Sequence, residues 1–271
     1  MKEKTLKSWE EFEQALVGIN EETKALQEKT QRHVDYPFFR GVSNSQYHLE
    51  STLDRIKKGM SLSEYYRIAK IAHKHVATCT GREWNLETKV HFGEFDLPAC
   101  EFMAYLRHNG FPSPFTDWTR SPYIAAFFAF RDICSTAKNK EYVSIFVYRE
   151  YCGTGKSWWG QEPHIHTLGH TIATHRNHYL QQSEYLFCVK QENKNEYRFA
   201  NYEDVKEKEG QDFLIKYNIP VSEQYKVLKK LDSMNITPYS LFDSETSLVE
   251  TLALREICFE IWDRLLASKN E

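Results

Sequence analysis

The sequence has no apolar run approaching the ~20 residues needed to cross a bilayer. The longest, Tyr123–Phe130, is far too short. The N-terminal MKEKTLKSWEEFEQAL contains no apolar stretch of signal-peptide length. A soluble, cytoplasmic protein without a membrane partner is therefore expected. Charge of one sign is also lacking, since 35 Lys and Arg stand against 38 Asp and Glu, a net −3. Nucleic acid stays possible as a partner through a local basic patch, but the net charge does not support it. The six cysteines, at 79, 100, 134, 152, 188 and 258, form no Cys-x-x-Cys pair. They read as separate buried thiols, which argues against a disulfide framework or a zinc knuckle. Repeats, low-complexity tracts and an obvious linker are missing too.

Two motifs are incomplete. Gly153-Thr154-Gly155-Lys156-Ser157 looks like the end of a phosphate-binding loop, but Glu150 stands where the full motif needs glycine. Trp158-Trp159-Gly160 follows where a helix should begin. Backbone amides cannot wrap phosphates without both features, so a surface loop is expected. His164, His166, His170, His175 and His178 crowd one segment, with Glu162 the nearby carboxylate. Zinc sites use tighter, paired spacing, so hydrogen bonding to the core or to a substrate is expected and no metal.

What the chain does have is aromatic mass: 14% Phe, Tyr and Trp, enough for an aromatic core and cleft. Ser8 and Glu11 form a capping box, and Trp9, Phe12, Leu16 and Ile19 follow at helical spacing. Residues 1–35 read as an N-terminal helical segment and 36–271 as the main domain with C-terminal helices. The segment from Tyr36 to Gly41 reads as a short strand. Residues 61–109 read as mainly helical, with a loop over Thr80–Pro98. Gly110, Pro112 and Pro114 break the helix, and Phe115–Trp118 is extended. Pro122 suits the first turn of a buried helix over Ile124–Ile133. Strands are expected around 141–148, 185–189 and 213–219, with helices over 222–234 and 246–266. This irregular order predicts an α+β fold, a central mixed or antiparallel sheet flanked by helices.

Two stretches carry candidate chemistry. In the first, Arg40 precedes Gly41, which lets a backbone or ligand come close, with Ser43 nearby. Its planar cation suits phosphate or carboxylate recognition. The structural alternative is an ion pair with a carboxylate such as Asp117. In the second, His108 leads through Asp117, Trp118, Thr119 and Ser121 into an Ala/Phe-rich helix. That junction can bind an anion at helix amides, or Asp117 and Thr119 can simply cap the helix.

Together these stretches resemble the FRG domain, named for Phe-Arg-Gly. The resemblance rests on Phe39-Arg40-Gly41, Ser43, His108, Gly110, Pro112, Asp117-Trp118-Thr119, Ser121-Pro122, Gln181-Gln182 and a C-terminal Leu241-Phe242, and extends from Tyr36 to about Leu248. Pro114-Phe115-Thr116 departs from the Leu-rich run common in that family. Members often look like parts of bacterial defence or toxin systems, which implies such a role here.

A second resemblance is to ADP-ribosyltransferases and their split core. There an early arginine holds the dinucleotide, a Ser/Thr-rich strand end shapes the nicotinamide pocket, and a Gln-x-Glu supplies the catalytic carboxylate. Arg40, the 116–121 junction and Gln182-Ser183-Glu184 follow that order. The resemblance implies NAD as substrate, Glu184 stabilising positive charge on the ribose, Gln182 orienting an unknown acceptor, and Arg40 on the pyrophosphate. Gly41, Ser43, His108, Asp117, Trp118, Thr119, Ser121 and Gln181 would complete the binding set, with Trp118 or Tyr185 stacking on nicotinamide. The alternative is a non-catalytic module that senses a nucleotide, nucleic acid or phage protein through the same cleft.

Overall fold

The β-branched and aromatic run near Ser144 forms β6 (Tyr142–Arg149), buried at every position but the first. It lies mid-sheet with structure on both faces, which is why its residues do not alternate with polar ones. The computed structural model describes residues 1–29, 34–92, 95–132, 141–150, 162–169, 172–173, 176–193, 196–205 and 212–268. Beside β6 lie β2 (Phe38–Val42) on one side and β10 (Phe213–Pro220) on the other, both antiparallel to it. β1 (Lys2–Thr5) adds a parallel, exposed edge to β10. Across β2 stand β5 (Thr116–Thr119), β8 (Ser183–Asn193), and then β7 (His164–Thr167) and β9 (Glu196–Phe199), both paired with β8. The fold is α+β, a mostly antiparallel mixed sheet flanked by helices, as expected.

Two cores sit on this sheet. α1 (Trp9–Lys29) buries Trp9, Phe12, Leu16 and Ile19 against α4 (Pro122–Phe130), β6 and β10. The N-terminal segment therefore shares its core with the main body. Ser8 Oγ accepts from Glu11 N at the helix start, while the Glu11 carboxylate accepts from Lys7 N instead of closing the box. α4 is so apolar because it lies directly on β2. A Cβ on Gly41 would come within 1.8 Å of the Ala125 carbonyl oxygen and 2.8 Å of Ala129 N. Gly41 is thus needed for close approach of the helix backbone, and Ala125, Ala126 and Ala129 keep the facing side small.

The second core is aromatic. α2 (Leu62–Thr80) and α3 (Cys100–His108) pack near Phe95, Phe115, Tyr185, Phe187 and Phe199. Inside the expected 80–98 loop, β3 (Lys89–Phe92) and β4 (Phe95–Pro98) form a hairpin. His166 belongs to this core, its ring 5.4 Å from that of Phe187 and 5.5 Å from that of Phe95. His178 stacks on Tyr185 at 5.2 Å. Among the described residues no group of His, Cys, Asp and Glu could hold a metal. His170, His175 and the 153–157 loop lie outside the described residues. So do Cys134 and Cys152; among the described residues the cysteines form no disulfide, with Cys100 and Cys188 buried and Cys79 exposed. No helix among the described residues is long and apolar enough to cross a membrane.

Candidate functional site

The sheet is nearly divided where β2 meets β5. The described pairing there is the single pair Phe39↔Thr119. Beyond it the strands part, and Arg40 Nη1 donates to the Asp117 carbonyl oxygen at 2.5 Å, taking the place of the ladder. The carboxylate of Asp117 lies 3.9 Å from the same nitrogen, so the expected ion pair exists, but the backbone bond is the closer contact. Arg40 is only 17% exposed, and desolvation draws its pKa below the ordinary value while Asp117 opposes that pull. An arginine stays charged regardless.

A cavity of about 540 Å³ opens over this seam. Arg40, Gly41 and Ser43 line it from β2, His108 from α3, Asp117 and Thr119 from β5, and Gln181 from the turn before β8. Arg107, at the end of α3, donates to Asp117 Oδ2 at 2.5 Å. The carboxylate is 46% exposed, so it offers acceptor capacity to a ligand as well as holding Arg107. Removal from water pulls the His108 pKa below its usual value, with Arg107 pulling the same way and Asp117 opposing. The neutral imidazole therefore prevails at neutral pH.

The turn at Gln181-Gln182 is held through its backbone carbonyls. Thr119 Oγ1 donates to the Gln181 carbonyl at 2.7 Å, and Arg120 N donates to that of Gln182 at 3.0 Å. Gln181 Nε2 donates to Leu241 O at 3.1 Å. This draws α7 (Pro238–Phe242) into the cavity wall through Phe242, and Arg176–Asp243 braces it at 2.6 Å. Gln182 itself has φ +47°, is exposed and does not line the cavity. Its position makes a left-handed turn residue of it, not a group aimed at a ligand.

Side chains alternate along β8, so Ser183 and Tyr185 face the cavity and Glu184 faces away. Glu184 is buried, with Arg120 Nη2 on its Oε1 at 2.6 Å and Nε at 2.9 Å. The structure therefore does not bring Glu184 or Gln182 to the cleft. Trp118 touches the cavity, but its ring packs near Tyr148 and its Nε1 donates to Thr116 Oγ1. Tyr185 lines the cavity but is buried, with His178 stacked on its ring. Ser121 is the cap of α4, accepting from Ile124 N, so the helix is capped by Ser121 and not by Asp117 or Thr119.

Sequence reasoning missed Arg107 and Tyr47, and it gave Phe242 no place in the cleft. Arg107 carried a signal, a cation one residue before a flagged histidine in a last helical turn. The other two arrive through tertiary packing alone. No curated protein and no solved structure matches the chain. The model of the FRG domain matches residues 36–138, stopping short of the Gln181-Gln182 and Leu241-Phe242 pieces that the resemblance included. Those residues supply Arg40, Gly41, Arg107, His108 and Asp117, the greater part of the cleft, and the chain therefore contains an FRG domain.

Proposed function

We propose that the cleft recognises a phosphate-bearing nucleotide, NAD being the ligand that the ADP-ribosyltransferase resemblance implies. The observation that carries this is the convergence of Arg40 and Arg107 on a single half-exposed carboxylate at the parting of two half-sheets. Two guanidinium groups against one carboxylate leave positive charge for an anion. Arg107 Nε is buried with no hydrogen-bond partner among the described residues, the kind of group that calls for an explanation. Ser43 lines the cavity with a hydroxyl and Asp117 with a carboxylate, partners suited to ribose, and Tyr47 adds a half-exposed aromatic ring. The volume falls within the ~300–1,000 Å³ usual for small-molecule sites.

Binding without turnover is the reading the geometry supports best. Cleavage of the nicotinamide–ribose bond requires a carboxylate beside the developing positive charge. Glu184 is turned away and held by Arg120. One observation favours the NAD-consuming alternative, in defence or as a toxin: Asp117 puts a carboxylate in the cleft, and it would take the role assigned to Glu184. Thermal unfolding with NAD, ADP-ribose and ATP tests the binding proposal. Saturation at about 100 times Kd should add about 2.7 kcal/mol of stability to the wild type and much less to Arg107→Gln. No stabilisation by any of the three ligands would refute it. Nicotinamide release from NAD, lost in Asp117→Asn, would move the protein to the enzymatic reading.

A further inference from the structure

The last helical run of the chain is apolar on two faces. Its inner face closes the aliphatic core with Leu254 and Phe259 buried and Trp262 packed against them. Its outer face presents Leu248, Val249, Leu252, Ile257, Ile261 and Leu265, exposed by 40, 64, 46, 57, 51 and 54%. Such a row offers on the order of 500 Å² of apolar surface, toward the top of the ~300–600 Å² found for the largest patch on a typical monomer.

The row stays on one face because the run contains a π turn. α8 (Glu245–Ala253) passes into π-helical Leu254–Phe259 and then into α9 (Glu260–Ala267). In an uninterrupted α-helix, positions 252 and 257 would diverge by about 140°. The wider π turn absorbs the extra residue and brings Ile257 and Ile261 back into line with Leu248 and Leu252. Glu245 stands on that face at one end and Arg264 at the other. From Glu245 through Leu248, Leu252, Ile257 and Ile261 to Arg264, the steps are 3, 4, 5, 4 and 3 residues. The spacing is palindromic about the π turn, and the charges at its two ends are opposite.

We infer that this face is a homodimer interface, occupied by the same face of a second copy running antiparallel about a two-fold axis at the π turn. Leu252 then meets Ile257 of the second copy, Leu248 meets Ile261, and Glu245 meets Arg264, each contact occurring twice as isologous pairing requires. A parallel arrangement would set Arg264 against Arg264 and Glu245 against Glu245, so the charges select the antiparallel one. Arg264 is 77% exposed and, among the described residues, its ion pair runs along its own helix to Glu260, which leaves it able to turn to Glu245 of the second copy. Covering the row on both copies removes on the order of 1,000 Å² of apolar surface, and the polar flanks bring the total into the ~1,200–2,000 Å² of specific interfaces.

Sedimentation velocity on the full 271-residue chain, from about 1 to 100 μM, tests this. A dimer is expected, weakened at least about tenfold by Leu252→Asp or Ile257→Asp with the far-UV circular dichroism unchanged. Arg264→Glu should also weaken it, and adding Glu245→Arg should restore it. A wild type that is monomeric at every concentration would overturn the inference. So would a dimer indifferent to Leu252→Asp, or a charge-swapped double variant no better than the single one.

Discussion

Strands β5 and β8 carry an arginine–carboxylate cluster on each face, and the two differ in one respect that matters. On the cleft face, Asp117 is 46% exposed and shared by Arg40 and Arg107. On the other face, Glu184 is 2% exposed and held by Arg120, which is itself 44% exposed. The chemistry is alike, but the first carboxylate can meet a ligand while the second is committed to the fold. A buried carboxylate depends on its partner for what water would supply, whereas a half-exposed one does not. The same motif region thus holds one cluster suited to recognition and one suited to support.

Stability should separate the two clusters most sharply. Arg120→Ala leaves the Glu184 carboxylate buried without its guanidinium and should cost about 3 kcal/mol, the lower end for a broken buried pair because Arg120 is partly exposed. Arg107→Ala should cost no more than about 1 kcal/mol, since solvent can serve Asp117. Urea denaturation of the two variants checks the contrast, and equal losses would erase it.

The smallest effect concerns His108. Its pKa is depressed in the folded state, so between the folded and unfolded values the unfolded chain binds more protons. The contribution to stability is present above the ordinary histidine pKa and is lost as pH falls through the folded one. His108→Asn should flatten that acid-side limb, measured as midpoint against pH from 7.5 to 5. A bound phosphate would raise the His108 pKa, so nucleotide affinity should rise on acidification in the wild type and less so in the variant. An affinity that falls on acidification would place His108 away from the ligand's charge.

These contrasts also mark how far the sequence could be read. The buried face of α1 was legible because Trp9, Phe12, Leu16 and Ile19 repeat at helical spacing. Gly41 was legible as a site of close approach, and the approaching backbone is that of α4. Glu184 was misleading because a triplet gives order along the chain but not the face of the strand. The turn at Gln182 sets that face, and its left-handed backbone leaves no trace in residue type. Arg107 and Phe242 reach the cleft through the packing of α3 and α7, contacts between segments that no local spacing records. The β1 edge escaped notice because its residues are polar and exposed at every position.

Nucleotide affinity in two variants bears most directly on the claim that the cleft face is the one that recognises a ligand. Isothermal titration of NAD or ADP-ribose should show Arg107→Gln raising Kd at least about tenfold, the loss of a charge-assisted bond. Glu184→Gln, which keeps the shape of the buried side chain, should leave Kd within about twofold of wild type. The opposite result, affinity abolished by Glu184→Gln and untouched by Arg107→Gln, would contradict the account.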